Sequence, residues 1–153
     1  MSNASSGDRP AYSTKQIGRL FLARWERTPS AEANRALIAE ISAARRTMEA
    51  PIVLLVVLTA ESGVPPLHDR AEIQRQNRMV DRVCSSMHFF IEGDALVRRL
   101  VRALVVVVTF VLRTDARFHD TCSDALAAAC RDLALDVESV RAEAMPFLRG
   151  EPL

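Results

Sequence analysis

Seven consecutive apolar residues, Ile52–Leu58 (IVLLVVL), limit most strongly what this chain can fold into. Four of them are β-branched, a side-chain type that is stiff at χ1 and suited to a pleated strand. Pro51 stands before the run, and the small-residue stretch Thr59–Gly63 follows it. A strand that is apolar on both faces needs cover on both faces, so it belongs at the centre of a sheet flanked by helices. The chain is therefore expected to be an α/β protein.

The flanking segments supply strands and helices in alternation. Residues 11–25 read as two short strands around a turn at Gln16–Gly18, the second carrying Leu20, Phe21, Leu22 and Trp25. Thr28-Pro29 reads as the opening of a helix reaching Met48, with Leu37, Ile41, Ala44 and Met48 on one face. After the central strand and the Thr59–Pro66 loop, a polar helix is expected to about Ser85, with a thin core face of Ile73, Val80, Val83 and Cys84. His88–Ile91 reads as a strand, Asp94 as the N-cap of a helix to about Arg113, and Ala116–His119 as a last strand. A helix from Thr121 or Ser123 to Leu135 follows, then a helical tail from Val137 to Phe147. The expected architecture is a single mixed, mainly parallel central sheet of four to five strands flanked by helices, in the order ββαβαβαβα. Residues 1–10 read as a disordered lead-in, 11–135 as the domain and 136–153 as a helical tail. No repeat and no long linker divides the 153 residues.

Composition narrows the function. The formal net charge is +1, so no global field recruits nucleic acid, and one Trp and one Tyr are too few for a base-stacking platform. Three cysteines without CxxC spacing argue against a disulfide framework or a cysteine-rich metal site and read as reduced thiols in the cytoplasm. No metal or other cofactor is expected. The start MSNASSGDRP lacks the order of a signal peptide. The apolar run Ala103–Leu112, bounded by Arg102 and Arg113, falls well short of the ~20 residues a bilayer needs, so no integral membrane association is expected.

The element order and three local features resemble the STAS superfamily, the anti-sigma-factor antagonists and their STAS-like relatives. These features are the hairpin ending in LFLARW before Thr28-Pro29, the strand and loop PIVLLVVL-TAESG, and the closing ARFHDTCSDALAAA. The resemblance covers residues 11–135. It implies a module that works by docking a partner protein in signalling or regulation, in some members switched by phosphorylation after the central strand. Ser62 is the nearest counterpart of that position here and Thr59 the second. Val64-Pro65-Pro66 departs from the usual run by lengthening and stiffening the loop.

Other constellations point to contact surfaces. Arg75, Arg78 and Arg82 are spaced to share one helical face, and Arg98, Arg99 and Arg102 open the third helix. Either set is a candidate partner-binding stripe or a solvated helix face. The second half of the third helix, with Leu104, Val105, Val108, Val111 and Leu112, is nearly without a polar side. A homodimer covering it is one expectation, and an apolar small molecule or lipid bound against it is the other. Catalysis is not expected: HExxH, GxSxG and glycine-rich phosphate loops are absent, and His68, His88 and His119 read as isolated. His119 and Cys122 straddle a turn, and Asp120 and Asp124 suit the start of a helix.

Overall fold

A computed structural model describes residues 9–109 and 115–152, without the side chains of 104–109. Five strands form one sheet in sequence order: β1 (Tyr12–Ile17), β2 (Leu20–Trp25), β3 (Ile52–Leu58), β4 (Cys84–Ile91) and β5 (Asp115–His119). The β1–β2 hairpin is antiparallel and turns at Gly18, whose φ of 57° is open to glycine at no steric cost. All other pairings are parallel. Every residue of β3 is buried, as a strand covered on both faces requires. Burying each such side chain stabilises the fold by about 1.5–3 kcal/mol.

Right-handed crossovers along a sequentially ordered parallel sheet deliver successive helices to the same face. On that face α1 (Ala31–Arg46), α3 (Val80–Val83) and α4 (Ala95–Thr109) cover Phe21, Trp25, Leu54, Val56, Met87 and Phe89, while α2 (Leu67–Asn77) lies beside α1. After the edge strand β5, α5 (Cys122–Asp132) and α6 (Val137–Arg149) turn to the opposite face. There they bury Leu20, Leu22, Val53, Leu55 and Val57 under Leu126, Ala129, Phe147 and Leu148.

Three local expectations are corrected. Ser30, and not Thr28, caps α1, its hydroxyl accepting from the Ala33 amide at 3.1 Å. The polar helix does not run to Ser85: α2 ends at Asn77, a single turn follows at Val80–Val83, and β4 already begins at Cys84. The register slips by one residue at Ser85, a β-bulge that lets Cys84 and Met87 face the same core. The third helix is described to Thr109, and Thr121 caps α5 by accepting from the Asp124 amide at 3.0 Å.

Candidate functional site

Adjacent connections part at the β4 and β5 carboxyl ends: β4 leads to α4 on one face of the sheet, β5 to α5 on the other. In open α/β sheets such a parting of connections leaves a crevice. A cleft of about 220 Å³ lies here, lined by Ile91, Ala95, Arg98, Arg99, Arg102, Phe118, His119 and Asp120. Asp94 caps α4 by accepting from the Val97 amide at 2.9 Å and so fixes the helix start beside the cleft.

Helical spacing sorts the first half of α4 into three strips. Val97 and Val101 face the core, Arg98 and Arg102 stand over the β5 side, and Leu96 and Leu100 point to solvent at 67% and 61% exposure. The Arg102 guanidinium carbon lies 4.9 Å from the Phe118 ring centroid, a cation–π contact that orients it along the cleft wall. Among the described residues no carboxylate forms an ion pair with Arg98, Arg99 or Arg102; Asp120 is the one acid lining the cleft.

Behind the cleft a polar network replaces apolar packing. The register sets Leu22, Leu55, His88 and Arg117 in one row, with Val57, Phe90 and His119 in the next. In the first row β2 and β3 contribute leucines, whereas on β4 and β5 the same face of the sheet carries Ser86, His88, Arg117 and His119. Asp132 at the end of α5 gathers them. Its Oδ2 accepts from the Ser86 hydroxyl at 2.6 Å, lies 2.8 Å from His88 Nε2 and pairs with Arg117. His88 is fully buried, and its Nδ1 lies 2.9 Å from His119 Nε2, with the two rings stacked 5.1 Å apart. Burial works to raise the Asp132 pKa, but the hydrogen bonds from Arg117, Ser86 and His88 outweigh it and hold Asp132 at about 2. Burial pushes His88 down against the pull of Asp132, and burial with the Arg117 charge pushes His119 down.

These states fix the protons. An ionised Asp132 requires His88 to donate through Nε2, so His88 Nδ1 accepts and His119 Nε2 donates to it. Nδ1 of His119 is left as the ring's proton acceptor. The expectation that His88 and His119 stand isolated is therefore corrected: they form one hydrogen-bonded chain ending at the cleft. The sequence offered no local signal, because the partners lie 31 and 44 residues apart. Cys122 takes no part in this chain, and burial holds its thiol protonated at about 11.

The other predicted residues fall elsewhere. Ser62 is 1% exposed and donates to the Thr59 carbonyl at 2.8 Å; Thr59 is 3% exposed, with no hydrogen-bond partner for its hydroxyl among the described residues. Both side chains are thus buried. Arg75, Arg78 and Arg82 do not share one continuous helix, since the chain breaks between α2 and α3; Arg75 pairs with Glu72. The cleft holds none of the three. The side chains of Leu104, Val105 and Val108, and all of Val111 and Leu112, lie outside the described residues, and with them the surface expected for a homodimer or an apolar ligand. No helix of the described residues is long and apolar enough to cross a membrane.

No protein-family model matches the chain, and no curated protein is similar to it. Among solved structures, it is similar to the crystal structure of an uncharacterised DUF3478-family protein with a SpoIIAA-like fold from Shewanella loihica PV-4. The two share 15% identity at a TM-score of 0.58, over 78% of this chain and 93% of that one. At that identity the likeness shows the fold, which is SpoIIAA-like and so STAS-like.

Proposed function

We propose that this STAS-like fold serves as a non-enzymatic binding module of cytoplasmic signalling or regulation, docking an acidic partner protein on the outer face of α4 and its adjoining cleft. One observation carries the reading: Leu96 and Leu100, one turn apart and largely exposed, are flanked by three arginines without carboxylate partners among the described residues. Apolar anchors beside complementary charge are the usual make-up of a protein contact, the anchors supplying affinity and the charges orientation. Exposed leucines at this spacing, on a helix whose core face is already filled by Val97 and Val101, contribute little to the core.

Photo-crosslinking from position 100 in cells of the source organism tests it. The expected outcome is a discrete crosslinked protein that disappears when Arg98, Arg99 and Arg102 are changed together to glutamate, with circular dichroism unchanged. Crosslinks indifferent to that reversal, yet lost when Arg75, Arg78 and Arg82 are reversed, would move the docking surface to α2 and α3.

A second reading, a carrier or sensor of a small apolar molecule, draws on a cavity of about 100 Å³ between the sheet and the helices. Trp25, Leu37, Leu54 and Phe89 line it, with the Asn34 and Asn77 amides as its polar groups and Val101 of α4 at its wall. Native mass spectrometry separates the readings, since a retained small molecule supports the second.

A further inference from the structure

We propose that the cleft at the carboxyl ends of β4 and β5 is a receptor for a phosphate monoester, a phosphoserine or phosphothreonine side chain presented by the partner protein. The inference deepens the docking reading and rests on it, giving the acidic partner a chemical class.

Charge selects the group. Among the described residues, Arg98, Arg99 and Arg102 oppose the single carboxylate of Asp120, leaving two positive charges around the cleft. A carboxylate ligand would neutralise only half of that excess, whereas a phosphate monoester carries about −1.5 to −2 near neutral pH. Guanidinium forks also match phosphate oxygens in pairs, and Arg102 is already oriented against Phe118. Size agrees: about 220 Å³ is small beside the ~300–1,000 Å³ that drug-sized ligands occupy and suits one side-chain headgroup.

His119 gives the cleft a second selective element. Its Nε2 is tied to the buried His88–Asp132 pair, and the ring can take one further proton, on Nδ1. Empty, the cleft discourages that proton: burial acts against it first, then Arg117 on the same strand and Arg131 on α5, while Asp124 and Asp120 favour it; the three α4 arginines lining the same cleft add like charge. A phosphate dianion reverses the balance and draws a proton from solvent onto Nδ1, leaving the Nε2–H bond to His88 in place. The second phosphate pKa, near 6, lies close to that of an ordinary histidine, so ligand and ring exchange protons over the same range. Phosphate binding is thus accompanied by net proton uptake, with His119 as a positioning residue backed by His88 and Asp132.

The full chain is titrated at low salt with inorganic phosphate, O-phosphoserine, and a phosphoserine peptide beside its unphosphorylated form. Nuclear magnetic resonance follows the arginine side chains and the histidine ring nitrogens. The expected result is saturable movement of Arg98, Arg99, Arg102 and His119 with every phosphate and none with the unphosphorylated peptide. Arg99→Gln, an exposed position, weakens binding about tenfold or more. Calorimetry in two buffers of different ionisation heat shows proton uptake, which His119→Gln abolishes while binding persists. Should that variant fail to fold, the ring nitrogens of wild-type His119 report the same protonation. Absence of saturation, or unchanged affinity in Arg99→Gln, overturns the proposal. So does sedimentation with phosphatidate vesicles when the phosphopeptide is ignored, which assigns a membrane headgroup instead. A crosslink from position 100 that still forms when the partner has been dephosphorylated beforehand removes this inference and leaves the docking reading standing.

Discussion

Asp132 receives three donors on one carboxylate oxygen, and the acid response of the protein follows from that residue. Its folded pKa, about 2, lies below the ordinary carboxylate value near 4. A depressed acid contributes stability above the unfolded value and loses it as pH falls from about 4 to about 2. Discounted for a side chain that is 22% exposed, the loss is about 1–2 kcal/mol. His88 adds an earlier step of the same sign. Held neutral by burial, it refuses a proton that the unfolded chain accepts, so stability begins to fall as pH drops past ~6.5. Urea midpoints measured across pH should fall in both windows for the wild type. Asp132→Asn, which keeps the shape without the charge, should lack the lower step; an identical profile in the variant would show that the network bears no ionised acid. Nothing near Ser86 or His88 in the sequence announces this partner, which arrives 46 and 44 residues later.

At the scale of elements, legibility followed hydrophobic pattern. β3 could be read directly as an unbroken apolar run that is buried throughout, and the amphipathic α1 and α5 because their burial follows the helical period. The start of β4 could not. Its face toward α5 carries Ser86 and His88 where an apolar alternation was to be expected, and the bulge at Ser85 breaks the period of two. With both signals lost, Val80, Val83 and Cys84 look like a helix continued. The arginines of α4 were legible as a set, but the wall they share with Phe118 and His119 depends on parallel pairing with β5. A buried cation helps to secure the end of the last helix. Arg24, 8% exposed, pairs with Glu26 and Glu92 at 2.8 and 2.7 Å and donates to the Leu148 carbonyl. Gly150 closes α6 in the left-handed region at φ 69°, where an added Cβ would sit 2.8 Å from Arg24 Nε. Arg24→Met should cost about 3 kcal/mol, since it strands acids and a carbonyl around the former guanidinium. Hydrogen exchange should quicken in residues 140–149 well before β3; uniform quickening would deny the local anchor.

At the scale of the whole molecule, the order of the chain and the order of the layers coincide. Residues up to His119 complete the sheet and the helices of one face, whereas among the described residues the other face is covered by Cys122–Arg149. A chain ending at Asp120 should therefore fail to give a soluble, cooperatively folding protein although all five strands are present. Size-exclusion chromatography and thermal unfolding would show it, and a well-behaved monomer would mean that α5 and α6 are dispensable. During synthesis the same geometry imposes a waiting period. A nascent chain that has already paired its strands emerges from the ribosome with Leu20, Leu22, Val53, Leu55 and Val57 bare to the surrounding water. Until Cys122–Arg149 is translated and clears the exit tunnel, that slab of the sheet is a target for chaperones, and pauses in translation of this segment would lengthen its exposure.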